Sequence, residues 1–233
     1  MNNLEIAQLK PGIWALDDGM ICCYLFAGKR QALLLDTGFG EIRIDKAVRE
    51  LTALPVFVVN THSHPDHIMG NKYFSKIYVH PLGMARIKHA SVLPVTEGMI
   101  FDLGSLSLRV VELPGHTPDG IGLMDYSSGM IFTGDVVENE NCTVRSLPGY
   151  VLSMKKLLAL KDKIKNIYPS HGKHPVGMNQ VLHISEALKA LESGSLTGEL
   201  KHIVMPPDID VYTYEYKYGD ITMSYNPAIG DWA

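Results

Sequence analysis

Long apolar runs are missing from this chain. Nowhere do the roughly 18 consecutive apolar residues of a membrane helix occur, so no membrane association is expected. Charge of one sign is missing too: 21 Lys and Arg stand against 25 Asp and Glu, net −4 and interspersed. Without a basic stripe, nothing recommends nucleic acid as a partner. Cysteine is scarce, with only Cys22, Cys23 and Cys142. Neighbours on a strand point to opposite faces, so Cys22 and Cys23 make poor disulfide partners. A reduced, cytoplasmic protein is the simpler reading, with Cys142 a small buried residue. Met1-Asn2-Asn3 carries neither a positive patch nor an apolar segment, and no secretory signal is expected. What is present, 233 residues at 46% hydrophobic and 20% charged, suits one globular domain over 1–233 with a core between two sheets.

Against that background one stretch is unusual. Val56-Phe-Val-Val59 is a β-branched and aromatic run short enough for a buried strand. His62, His64, Asp66 and His67 follow within six residues. Alternate His62 and His64 point the same way from an extended segment. Pro65 breaks the strand, and Asp66 and His67 are presented from a turn or helix start. Buried ring nitrogens need partners and protonated rings repel, and a divalent metal resolves both problems. Further metal-type ligands end strand-like runs downstream. Leu106–Leu113 leads to Gly115-His116, Met130–Thr133 to Gly134-Asp135, and Ile167–Ser170 to His171-Gly172. Singly, each reads as an ordinary histidine or a helix cap; jointly they read as one site.

His-x-His-x-Asp-His, then Gly-His, Gly-Asp and Ser-His-Gly, resembles the metallo-β-lactamase superfamily across nearly the whole chain. The resemblance implies an α+β fold, a four-layer αββα sandwich of two mixed sheets with two divalent metals at one edge. It implies His62, His64 and His116 on the first metal, Asp66, His67 and His171 on the second, and Asp135 bridging. Asp36, at the end of a strand, would sit beside the metals and orient a ligand. Zinc fits this donor set, with iron or manganese as alternatives.

The remaining chain is read by pattern. Residues 4–35 form a strand meander, and Glu41–Ala53 is a helix with Ile44, Val48 and Leu51 on one face. Lys76–Val79 is a strand, and Pro81 opens a short helix through Ile87, leaving His80 and His89 as ordinary residues. Residues 90–104 are expected to cross the metal edge. Glu138–Leu147, with Glu138, Asn139, Glu140 and Arg145, reads as an irregular loop near the metals or as a solvated one. Helices are expected at Tyr150–Lys163, with Leu152, Leu157, Leu160 and Ile164 inward, and at Met178–Leu191, ended by Gly194. A hairpin at about 209–226 turns at Gly219-Asp220 and puts Tyr212, Tyr214, Tyr216 and Tyr218 on one face. Those tyrosines suit a substrate pocket, a homodimer interface, or simple packing on their own sheet.

The expected chemistry is hydrolysis by a metal-bridged hydroxide, with Asp135 holding the metals and Asp66 orienting the nucleophile or taking its proton. Tyr150, His174 or a tail tyrosine is the expected leaving-group donor. A small ester, thioester or lactone is the expected substrate. A mononuclear iron sulfur-dioxygenase using His62, His116 and Asp135, a phosphodiesterase or nuclease of the superfamily, and a non-catalytic ligand-binding protein are the alternatives.

Overall fold

A computed structural model describes residues 4–205 and 209–226. Seven strands form the first sheet: β1 (Glu5–Lys10), β2 (Ile13–Asp17), β3 (Cys22–Ala27), β4 (Ala32–Leu35), β5 (Val56–Val59), β6 (Ile77–Val79) and β7 (Val92–Pro94). They lie in chain order, antiparallel from β1 to β4 and parallel from β4 to β7. The parallel crossovers run through α1 (Ile44–Leu51), through α2 (Pro65–Ile68) with the 3-10 turn Met69–Tyr73, and through a 3-10 turn Pro81–Arg86.

The second sheet contains β8 (Ile100–Asp102), β9 (Ser107–Glu112), β10 (Ile121–Asp125), β11 (Met130–Gly134) and, after β12 (Asn141–Val144) and α3 (Leu147–Ala159), β13 (Asn166–Pro169). Its order is β13-β11-β10-β9-β8, with β13 parallel to β11. The sheets face each other over a core containing Tyr24, Phe26, Leu33, Phe57, Leu123 and Phe132. Val48 of α1 packs beneath the first sheet with Leu34 and Val58. α3 and α4 (Met178–Glu192) cover the second sheet through Met154, Leu157, Ile184 and Leu188. The sequence therefore folds as the expected αββα sandwich.

A third sheet adds to it. β14 (Glu199–Met205), β15 (Ile209–Tyr218) and β16 (Ile221–Tyr225) join β12 in the order β12-β16-β15-β14. The expected hairpin is β15–β16, turning at Gly219 with φ +61°. The polar 138–147 stretch is not the irregular loop expected: its middle pairs in parallel with β16 and buries Cys142 and Val144. Tyr216, Tyr218 and Tyr225 pack on the helix-side core, whereas Tyr212 is 51% exposed and stacks on His202 at 4.7 Å.

Smaller differences have local causes. α1 begins three residues after the expected start, because Gly38 and Gly40 both take positive φ and 41–43 remain turn. Leu152 is 47% exposed, since α3 turns Ser153, Met154 and Leu157 inward instead. Residues 90–104 do not stay at one edge. Val95, just past β7, bonds to Val79 at the end of β6, and Leu103 accepts from Lys29 and Arg30 just before β4, so the segment crosses the sandwich. No described helix is long and apolar enough to cross a membrane.

Candidate metal centre

Every motif singled out in the sequence ends at the same edge. β4 and β5 run parallel, and so do β11 and β13, while β9 shares their direction because β10 is antiparallel to both neighbours. Asp36 and the 62–67 cluster leave the first sheet there; His116, Asp135 and His171 leave the second. Pro65 at the first position of α2 suits its fixed φ, and turns Asp66 and His67 inward from the strand direction. Asp36 adopts φ +63°, left-handed backbone that aspartate tolerates better than most residues. Gly134, at φ +57°, lets β11 approach Thr61 so closely that an added Cβ would sit 2.9 Å from that residue's Cβ.

Two donor groups form. His62, His64, His116 and Asp135 converge in one; Asp66, His67 and His171 converge in the other, each within 4.8 Å. In the first, Nδ1 of His64 lies 2.9 Å from Nε2 of His62 and 3.0 Å from Nε2 of His116. In the second, Oδ2 of Asp66 lies 3.2 Å from His171 Nε2 and 3.5 Å from His67 Nε2. Asp135 belongs to both, with its carboxylate oxygens 3.3 Å from His116, 3.6 Å from His62, 3.3 Å from His67 and 3.5 Å from His171.

The far nitrogens of four rings decide how the near ones face inward. His171 Nδ1 donates to the Met20 carbonyl at 2.6 Å and His116 Nδ1 to the Thr143 carbonyl at 3.3 Å. Carbonyl oxygens only accept, so these nitrogens carry protons, and Nε2 is the nitrogen each ring turns to the donor group. His67 Nδ1 meets Asp36 Oδ2 at 2.7 Å, and His62 Nδ1 meets Thr61 Oγ1 at 3.1 Å. Asp36 in turn accepts the Thr61 amide and hydroxyl at 2.8 and 2.7 Å. Ring nitrogens of His62, His64 and His116 crowd at 2.9–3.0 Å, and buried His67 Nε2 and Asp135 Oδ1 have no nearer partner than each other, 3.3 Å apart. A cation in each group would give these atoms a partner, and the imidazole–carboxylate set suits zinc or another first-row divalent metal.

The electrostatics agree. Burial, then neighbouring ring charge, holds His62 well below its ordinary value and His64 down to about 3, so both rings stay neutral. Burial opposes the charge on His171, yet hydrogen bonds to Asp135 and Asp66 push it up to about 11. His67 is likewise raised against burial, by Asp135 and Asp36. Burial also resists ionisation of Asp135, but His67, His62 and His171 hold it well below the usual carboxylate range. In the absence of a cation, protons on His67 and His171 take its place.

The family model for the metallo-beta-lactamase superfamily matches residues 16–202. The chain belongs to the metallo-beta-lactamase superfamily. An atrochrysone carboxyl ACP thioesterase of Aspergillus fumigatus is 30% identical over 158 residues, covering 64% of this chain and 50% of that protein. An acyl-coenzyme A thioesterase of Gallus gallus is 26% identical, covering 64% and 71%. Hydroxyacylglutathione hydrolase 1 of Vibrio vulnificus is 31% identical, covering 64% and 60%. The chain thus spans half to about seven-tenths of the length of these relatives. A metallo-beta-lactamase from Pontibacter korlensis shares the fold, with TM-score 0.68 and 20% identity over 80% of this chain and 99% of that one.

Within this superfamily member, all seven expected ligands and Asp36 gather at one edge. Two of the expected proton donors, Tyr150 and His174, have partners outside the seven. Tyr150 is 0% exposed and donates to the Val136 carbonyl at 2.9 Å, fixing the segment after Asp135. His174 turns to Cys22 instead, 3.8 Å away. Glu138 is near enough for Asp135, after burial, to push it up to about 8. Sequence reasoning assigned no role to Thr61, Met20, Thr143 or the Asn60–Asn71 pair, whose amides bond each other and the His67 carbonyl beneath that ring. Thr61 lay within the motif; the two carbonyls leave no mark in a sequence.

Proposed function

We propose that this chain is a metal-dependent hydrolase acting on a thioester whose carrier is anionic. The observation that carries the reading is Asp135, within 3.6 Å of ring nitrogens from both donor groups. His62, His64 and His116 would hold one cation and Asp66, His67 and His171 a second, with Asp135 shared. Bound there, divalent cations lower the pKa of coordinated water and polarise a carbonyl. Asp66, 20% exposed, is the carboxylate of the set that faces solvent, and is placed to orient a water and accept its proton. Asp36 and the Met20 and Thr143 carbonyls keep the rings in the ligating tautomer and hold them still.

Thiols ionise at about 8.5, so a thiolate leaves without a strong acid behind it. That suits a site where Tyr150 and His174 are committed elsewhere. The relatives named for ACP, acyl-coenzyme A and hydroxyacylglutathione chemistry support the same class. Arg145 follows β12, its amide bonded to the Gly115 carbonyl, next to His116. Its charge, after burial and the other rings, contributes to depressing His64 and His116, and burial followed by Arg86 depresses Arg145 itself. Arg145, beside His116 in the chain path and in no ion pair among the described residues, favours a carrier bearing phosphate or carboxylate.

The experiment is elemental analysis followed by turnover of acyl-coenzyme A, acyl-ACP and a neutral, truncated thioester beside esters, lactones and phosphodiesters. Two metals per chain and preference for the anionic thioesters are expected, with Arg145→Ala raising KM for those alone. One iron per chain with oxygen uptake, or no turnover of any thioester, overturns the reading.

A further inference from the structure

A second cluster of donors lies at the same edge, outside the seven ligands. Asp17 ends β2, Cys22 begins β3, and His174 follows β13, so the cluster bridges the two sheets. A sulfur, a ring nitrogen and a carboxylate oxygen lie within 4.8 Å of one another. Sγ of Cys22 is 3.8 Å from Nε2 of His174. Nδ1 of His174 faces the Gly172 carbonyl at 3.4 Å, an acceptor, which leaves the Nε2 lone pair aimed at the sulfur. One oxygen of Asp17 accepts the Gly19 amide at 2.8 Å. Tyr24 closes the inner side, with its ring edge-on to His174 at 6.0 Å and its hydroxyl donated to the Pro169 carbonyl. Cys22 is buried, whereas Asp17 and His174 are half-buried, so the group opens to water on one side.

We propose that Asp17, Cys22 and His174 form a separate metal site for a thiophilic divalent cation of the zinc class. Three protein donors of this type leave a fourth position for water, an arrangement zinc commonly accepts. The thiolate biases the site toward softer metals than the carboxylate-rich centre beside it. On binding, the sulfur–hydrogen bond breaks, its proton passes to solvent, and the sulfur electron pair forms the bond to the cation; no oxidation occurs. The site ties the β2–β3 turn to the loop that delivers His171. That connection already exists through Cys22 N to Ser170 O at 2.8 Å and His171 Nδ1 to Met20 O at 2.6 Å. The inference does not depend on what the seven-ligand centre catalyses.

The test exploits sulfur, which none of the seven ligands contains. Chelator-stripped full-length protein is titrated with cadmium while the ultraviolet thiolate-to-cadmium charge-transfer band is followed. One thiolate-linked equivalent is expected, abolished by Cys22→Ser and weakened at least tenfold by His174→Gln or Asp17→Asn. His116→Ala should leave it in place. Absence of the band in the unsubstituted protein overturns the proposal. So does a band that survives Cys22→Ser or disappears in His116→Ala. Should Cys22→Ser fail to fold, unchanged cadmium affinity in His174→Gln overturns the proposal equally.

Discussion

Nδ1 of His67 lies 2.7 Å from Oδ2 of Asp36, a residue whose own backbone sits at φ +63°. The carboxylate fixes the ring so that Nε2 faces Asp66 and Asp135. Asp36→Ala should lower affinity at the second donor group about 10- to 100-fold. It should also leave a buried donor unpaired, at about 1–3 kcal/mol of stability. Asp36→Asn keeps a residue that tolerates this backbone and should recover the stability better than the affinity. Dialysis against buffered zinc with elemental analysis, beside urea denaturation, separates the two effects. Full metal content in Asp36→Ala would falsify the positioning role.

Asp135 is the carboxylate common to both donor groups. Asp135→Ala should therefore deplete both cations, whereas His116→Ala and His171→Ala should each weaken chiefly one. A chelator should abolish hydrolysis, and restored metal should return it. Metal-to-protein ratios for the three variants check this; a full pair retained by Asp135→Ala would contradict it.

Burial pushes the thiols of Cys22 and Cys142 from an ordinary 9.0 up to about 12, and raises Cys23 as well. Below pH 9 both folded and unfolded chains hold these protons. Between 9 and 12 the unfolded chain alone releases them, so stability falls as pH rises, by about 1.4 kcal/mol per unit for each thiol. Urea midpoints at pH 8 and pH 10 should show the loss, and Cys142→Ala should make the slope shallower. An unchanged slope in that variant counts against the account.

Tyr150→Phe removes the bond to the Val136 carbonyl, and about 1 kcal/mol of stability should go with it. Because the hydroxyl faces backbone and not the donor edge, the pH profile of kcat should keep its shape. A new dependence on leaving-group pKa would instead identify Tyr150 as an acid.

Much of the centre was legible because each ligand motif is local. A strand end, a turn residue and a donor sit within a few positions of each other at 62–67, 115–116, 134–135 and 170–171. The sandwich was implied by the family resemblance those motifs carry; the strand runs and amphipathic helices were only consistent with it. The third sheet was not legible, because β12 is polar on its exposed side and finds its partner β16 about eighty residues later. A pairing that distant leaves no periodicity to read. Leu152 misled because a helical stripe reports spacing but not which way the helix is rolled on its neighbour. The approach of His174 to Cys22 was not legible either, because the two residues come from different sheets.

The seven candidate donors come from both sheets, and no continuous segment carries them all. A cation held between them therefore binds the assembled chain far better than the unravelled one. Free metal at about a hundred times its dissociation constant adds about 2.7 kcal/mol to folding for each site. Chains made under metal starvation would unfold more often and be cleared by proteases sooner. The amount of this protein in a cell would then follow the supply of the ion, with no dedicated regulator required.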